Sequence, residues 1–381
     1  MRRLIVLVSA IVLLDTAFYA AVAPLLPQYV DDLGLSKTAA GILTGSYAAG
    51  CFVGAIPAGW LAARVGVKTT TIAGLIGLAV ASLVFGFARE VWLLDAARFA
   101  QGLASSCTWA AGFAWVVERA PADRRGEVIG APLAAAIAGA LVGPVLGTAA
   151  AELSPEAVFA GVAVGAIALA IPAWREPSSP GGEADMRRVG SALSAPGIRM
   201  GIWLVALPAL AAGVMNVLVP LRLDALGAAG VAIGGTYLVA AAFEAVISPV
   251  VGRISDRRGR LVPIRFGLVA VAVLLVALPI PDSAVVVAIL FVLTAIAAGA
   301  FWAPAMALLS DQVERVGVAQ GFAFAFTNIA WAGGQLVGNG GGGALAEATA
   351  DWVSYAVVTV LFIGTLATVA RPRRRAQPQP A

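Results

Sequence analysis

Two carboxylates stand inside long apolar runs: Asp15 in IVLLDTAFYAAVAPLLP and Glu244 in TYLVAAAFEAVISPVVG. In hydrocarbon, a charge at mid-helix costs roughly 2.5–3.5 kcal/mol on insertion scales. Such a group is kept when it does something, and a lone acid can hold either a proton or a cation. A site that holds one or the other, never both, exchanges them. Thr16 and Tyr19 flank Asp15, and Tyr237 shares a helical face with Glu244. No basic residue lies within the span of Glu244, so it reads as a proton carrier. Arg98 and Gln101, one turn apart, form a second polar pair, with Arg98 as the electrostatic partner and Gln101 as a lining residue. Further along stand Asn216 and a face of Asn328, Trp331 and Gln335 at helical spacing. Amides in hydrocarbon face protein or a cavity. Trp109 and Trp302 add aromatic walls, over which lipophilic cations bind well.

Other chemistry has little to work with. The chain has no histidine, and its two cysteines, Cys51 and Cys107, both lie in apolar runs. This leaves no Cys or His cluster for a metal, no disulfide framework and no spaced nucleophile and base. The chain is therefore read as a non-enzyme without metal or organic cofactor.

The elements that must hold these residues follow from composition. The 381 residues are 60% hydrophobic and 12% charged, with a mean hydropathy of +0.93; a soluble domain carries about 25% charged residues. A membrane-crossing helix needs about 20 mostly apolar residues. Twelve such runs are present, at 4–28, 40–62, 69–88, 91–117, 128–150, 157–174, 200–221, 232–251, 262–281, 284–309, 317–343 and 352–370. Gly and Pro blur the edges of the tenth and eleventh. The first run is too long, and wrongly flanked, for a cleaved signal peptide. Of the 25 Lys and Arg, all but Lys37, Arg89, Arg98 and Arg222 fall at the two ends or in even-numbered loops. The positive-inside rule then places both termini in the cytoplasm. The net charge of +4 follows from the same asymmetry, and nucleic acid is not an expected partner.

The chain also repeats itself. The polar stretch REPSSPGGEADMRRVGSALSAPGI, 175–198, divides it. At an offset of 193 residues Pro27, Asp31, Gly34, Gly41, Gly59, Arg64 and Gly66 meet Pro220, Asp224, Gly227, Gly234, Gly252, Arg257 and Gly259. At an offset of 191, Gly126, Gly130, Gly143 and Gly147 meet Gly317, Gly321, Gly334 and Gly338. Two six-span halves related by an axis along the membrane normal are a transporter architecture, with the site near the midplane.

Four stretches carry a resemblance to the major facilitator superfamily. GRISDRRGR, 252–260, is similar to its loop signature, with Gly252, Asp256, Arg257, Gly259 and Arg260 as the motif residues. The first-half copy GWLAARVGVK, 59–68, keeps Gly59, Arg64 and Gly66 but has Ala63 where Asp is usual. DAARFAQGLASS, 95–106, resembles the fourth-span pattern. GAPLAAAIAGALVGPVLGT, 130–148, resembles the fifth-span antiporter motif through Gly143, Pro144 and Gly147, with Thr148 where a second Gly is usual. Small residues at that spacing let helices approach closely. The resemblance implies the drug–proton antiporter branch and a gating role for Asp256. LLDTAFYAAVAPLLP and RFAQGLASSC resemble vesicular amine transporters, which implies that Asp15 pairs with a substrate ammonium. The further acids of those transporters match Gly299 and Asn328 here, and their second-span lysine matches Tyr47.

The expectation is an all-α polytopic protein of twelve transmembrane helices in two pseudo-symmetric six-helix bundles. Residues 1–174 and 199–370 form the bundles, 175–198 a cytoplasmic linker, and 371–381 a basic cytoplasmic tail. It is read as a monomer in the inner or plasma membrane, its partners being lipid, protons as coupling ion and a small-molecule substrate. The expected activity is proton-coupled export of an amphipathic, cationic organic compound. Export of neutral sugars or metabolites, or a non-transporting membrane sensor, are the alternatives.

Overall fold

The computed structural model describes residues 1–119, 125–177, 194–316 and 321–370. Residues 178–193 of the expected linker and the 371–381 tail lie outside the described residues, as do the basic residues Arg124, Arg187 and Arg188.

Twelve spans follow one another in the described residues. The first half comprises α1 (Arg2–Leu33), α2 (Lys37–Val65), α3 (Val67–Phe87), α4 (Val91–Arg119), α5 (Arg125–Glu152) and α6 (Pro155–Arg175). The second comprises α7 (Pro196–Ala225), α8 (Gly230–Arg258), α9 (Leu261–Ala277), α10 (Ala284–Arg315), α11 (Gly321–Leu336, continued through Val337–Gly341 to Ala348) and α12 (Asp351–Ala370). Nine of these helices are long and apolar enough, by length and composition, to cross a membrane. The other three have evident reasons to fall short: α4 carries a polar stripe, α9 has 17 residues, and α11 is interrupted. Large apolar side chains such as Val164, Val246, Phe266 and Val273 point outward, an exposed surface suited to lipid.

The connections are short because the capping chemistry is local. Ser36 accepts from Ala39 N at 3.3 Å to start α2, and Ser154 accepts from Ala157 N at 3.2 Å to start α6, with Pro155 in its first turn. Between α2 and α3 the chain turns on Gly66 alone, at φ 90°; between α8 and α9 it turns on Gly259, at φ 87°, followed by Arg260. Both lie in the left-handed region that side chains avoid. These equivalent turns are the repeat made visible.

Packing corrects the repeat in one place. Gly139, Gly143 and Gly147 of α5 press on Leu13, Ala17 and Ala21 of α1, while Gly334, Gly338 and Gly342 of α11 press on Ala206, Leu210 and Val214 of α7. The α1 and α7 positions stand 193 residues apart, as expected. The glycines stand 195 apart, so Gly143 corresponds to Gly338 and not to Gly334. Glycines repeating every fourth position align equally well one turn out of register; only the partner helix distinguishes the two.

The halves meet at the end bearing the odd-numbered loops. On α2 and α11, Gly41 abuts the Asn339 carbonyl and Gly343 abuts that of Lys37. Lys37 pairs with Asp351, and Glu347 accepts from Thr38 N at 2.7 Å. On the other side, Gly234 of α8 abuts Thr148 of α5, whose hydroxyl donates to the Pro144 carbonyl at 2.9 Å. Thr148, the departure from the fifth-span pattern, therefore packs on a glycine in the opposite half. The interruption in α11 is a π turn, VGNGG, steadied by Asn339 Nδ2 donating to the Gln335 carbonyl at 2.7 Å. All these contacts lie in the odd-loop half of the helices.

Candidate functional site

Near mid-bundle, α1, α2 and α4 bring a polar cluster together. On α4, Arg98, Gln101, Ser105 and Trp109 recur at three- and four-residue steps, which aligns them on one face. Asp15 of α1 meets that face and is fully buried. Its Oδ2 accepts from Ser105 Oγ and, at 2.7 Å, from Trp109 Nε1. The Tyr47 hydroxyl of α2 hydrogen-bonds Ser105 Oγ at 2.8 Å. Among the described residues no basic side chain lies within ion-pair distance of Asp15.

Arg98, 1% exposed, takes a different set of partners. It donates to Gln101 Oε1, and its guanidinium carbon lies 5.0 Å from the Tyr47 ring centre and 5.9 Å from that of Tyr19. Trp331 of α11 closes on the same tyrosines, with ring centres 5.4 Å from Tyr19 and 6.2 Å from Tyr47. Asn216 of α7 lies beside Tyr19. The cluster thus spans both halves.

Of the residues expected to line the site, Asp15, Tyr19, Arg98, Gln101, Asn216 and Trp331 come together. Others do not. Gln335 is buried, and its Oε1 accepts from Asn339 Nδ2 at 2.9 Å within the π turn, so it belongs to the seam between halves. Asn328 is half-buried on α11, seven residues before Gln335, and Trp302 packs into the second-half core. Glu244 is accessible on α8 and lies against α10: a Cβ added to Gly299 would come 2.7 Å from its Cγ. Its neighbour in register, Tyr237, donates to the Met215 carbonyl at 3.4 Å and packs its ring 4.6 Å from Phe291. No hydrogen bond or ion pair joins Glu244 to Asp15.

Sequence reasoning overlooked Ser105 and Tyr47 as hydrogen-bonding members, and read Trp109 only as an aromatic wall. The α4 periodicity carries the signal for Ser105 and Trp109. Tyr47 has no comparable signal, since it is a lone hydroxyl among small residues.

The motif residues sit at the opposite end. Arg260 pairs with Asp256 and, through Nε at 3.3 Å, with Asp311 of α10. Burial by itself lowers the Arg260 pKa; hydrogen bonds and charge from the two carboxylates outweigh it and raise the value. This ties α8, α9 and α10 within one half. In the first half, which has Ala63 in place of Asp, Arg64 stacks on Trp60 at 5.1 Å. Gly59 and Gly252 have open space around them. Arg257 and the Gly259 turn are exposed.

The chain's folding pattern has close parallels. It is similar to a bacterial homologue of the human lysosomal transporter Spinster, solved inward-facing and unoccupied, with a TM-score of 0.74 at 14% identity, covering 96% of this chain and 95% of that one. It is also similar to a D-xylose–proton symporter, with a TM-score of 0.77 at 16% identity and 97% coverage of both chains. These likenesses establish the fold. In sequence it is 31% identical over 122 residues to the MFS-type transporter ppzB of Metarhizium majus, across 30% of this chain. It is 34% identical over 104 residues to the multidrug resistance protein MdtL of Shewanella oneidensis, across 27% of this chain. The chain spans about a quarter of the length of these curated relatives, 26% of each. Residues 8–334 and 202–381 match the Major Facilitator Superfamily profile, and the chain belongs to that superfamily.

Proposed function

We propose that the protein is a proton-coupled antiporter that exports an amphipathic, cationic organic compound by alternating access. The observation that carries this reading is Asp15: fully buried, held by a hydroxyl and an indole N–H, and without a basic partner at ion-pair distance among the described residues. A carboxylate so placed has room in its bonding for one proton or one cationic group. The joined odd-loop end is taken as the outer face, which gives a state closed outside and puts both termini in the cytoplasm. Proton entry under 100 mV supplies about 2.3 kcal/mol per charge, enough to drive useful export. Glu244, beside α10, serves as a second proton site, and Arg260 with Asp256 and Asp311 stabilises the inner end of the second half.

The test is uptake of a fluorescent cationic drug into inverted vesicles under an imposed pH gradient. Uptake that needs the gradient and is lost in Asp15→Asn supports the reading. Gradient-independent uptake, or an unimpaired variant, refutes it.

A further inference from the structure

Three polar atoms of the central cluster are buried and unpartnered: Asp15 Oδ1, Arg98 Nε and Gln101 Nε2. All three side chains are 1% exposed or less. A buried donor or acceptor left unpaired loses its hydration with nothing in return, so each such atom calls for an explanation. Three within one cluster describe the missing partner by its chemistry.

The atoms differ in sign. Arg98 Nε and Gln101 Nε2 are donors, on a cationic and a neutral side chain. Asp15 Oδ1 is an acceptor on a carboxylate. They do not serve one another: Asp15 Oδ2 is taken by Ser105 and Trp109, while Arg98 turns to Gln101 Oε1 and the two tyrosine faces. A ligand that is only a cation would satisfy Asp15 and leave both donors stranded. It would also place a second positive charge near a guanidinium already seated on the aromatic faces a cation prefers. A ligand with a cationic and an anionic end satisfies all three atoms and adds no net charge to the site.

We infer that the site takes amphipathic zwitterions, with an ammonium on Asp15 Oδ1, a carboxylate on Arg98 Nε and Gln101 Nε2, and the apolar body against Tyr19 and Trp331. This rests on the reading of Asp15 as the exchange site, keeps the substrate's cationic group and adds an anionic one to it. Gln101 is then a specificity-determining residue. It bonds Arg98 through Oε1 and leaves its own amide N–H unpartnered, a second donor for the anionic group.

Equilibrium binding to the full-length protein in proteoliposomes tests the inference with two matched pairs: tryptamine against tryptophan, and 4-phenylbutylamine against 4-(4-aminobutyl)benzoate. The pairs differ in the spacing of their charges. At least one zwitterion should bind about tenfold or more tightly than its amine, the usual scale of a hydrogen bond to a charged group. Gln101→Glu supplies Arg98 with a carboxylate of its own, so the preference should reverse toward the amine. Gln101→Leu should abolish the preference without reversing it, and serves where Gln101→Glu does not fold. Equal or tighter binding of both amines, no binding by any probe, or a preference unmoved by either variant overturns the inference. If the amines still exchange for protons in vesicles, the antiport reading stands and the zwitterion reading alone falls.

Discussion

Trp109 Nε1 donates to Asp15 Oδ2 at 2.7 Å, and that indole, rather than a guanidinium, is what faces the buried carboxylate. Arg98 lies on the same helix, seven residues before Ser105, engaged with Gln101 and two tyrosines. Acid and base are thus separated, and Asp15 is free of the direct pair that would lock it.

Asp15→Asn should reduce proton-driven transport to background while leaving the fold intact. Asparagine keeps the shape and an acceptor for Ser105 and Trp109, so stability should change by no more than about 1 kcal/mol. Vesicle uptake and a thermal melt, made on one preparation, check both halves of this expectation.

Trp109→Phe removes the N–H but can keep the ring stacked on Phe113, 5.5 Å away. The loss of one charge-assisted donor should cost about 1.5–3 kcal/mol of carboxylate stabilisation. Exchange rates should shift in their pH profile, and expression and melting should change little. A profile identical to the parent's would make the indole a packing group.

Gly143→Leu should fail sterically, because even a Cβ there meets the Ala17 carbonyl at 2.8 Å and collides with Ala20. Overpacking of this kind costs typically about 1–3 kcal/mol. Turnover should fall further than substrate affinity, since the contact is between α1 and α5 and not in the central cluster. Normal turnover would show that α5 can move away from α1 freely.

Glu244→Gln should weaken proton coupling while sparing facilitated exchange. Gly299→Leu provides an independent check, because its side chain must displace Glu244, whose carboxyl carbon would lie 2.9 Å from the added Cβ. The two variants should share a phenotype if the position of Glu244 matters. Coupling ratios measured with a pH-sensitive dye in proteoliposomes decide it.

Lys37→Asp should loosen the seam at the odd-loop end, where Lys37 meets Asp351 beside the Thr38–Glu347 contact. Partly exposed pairs contribute about 0.2–1 kcal/mol, so the expected change in the open fraction is a few-fold. Adding Asp351→Lys should restore the parent distribution. Distances between spin labels on α2 and α11 report it.

Much of the architecture was legible along the chain, because lipid imposes its own arithmetic: apolar runs of sufficient length become helices that satisfy their backbone internally. All twelve runs appear as helical spans near their expected bounds, even α11, where glycines allow a π turn within the helix. The lone acid Asp15 and the Arg98–Gln101 pair also stood out, since polar groups in hydrocarbon are conspicuous against their surroundings.

What the tertiary structure decided is which polar groups meet. Sequence spacing ranks residues on one helix face but says nothing of the rotation of a neighbouring helix. Asp15 therefore finds Ser105 and Trp109 instead of Arg98, and Gln335 bonds Asn339 of the α11 π turn instead of joining the central cluster. The glycine ladders make the same point. A four-residue repeat is indifferent to a slip of one turn, and only contact with α1 and α7 places Gly143 opposite Ala17 and Gly338 opposite Leu210. One dimension fixes which side chains are costly to bury; three dimensions choose the partners that make burial tolerable.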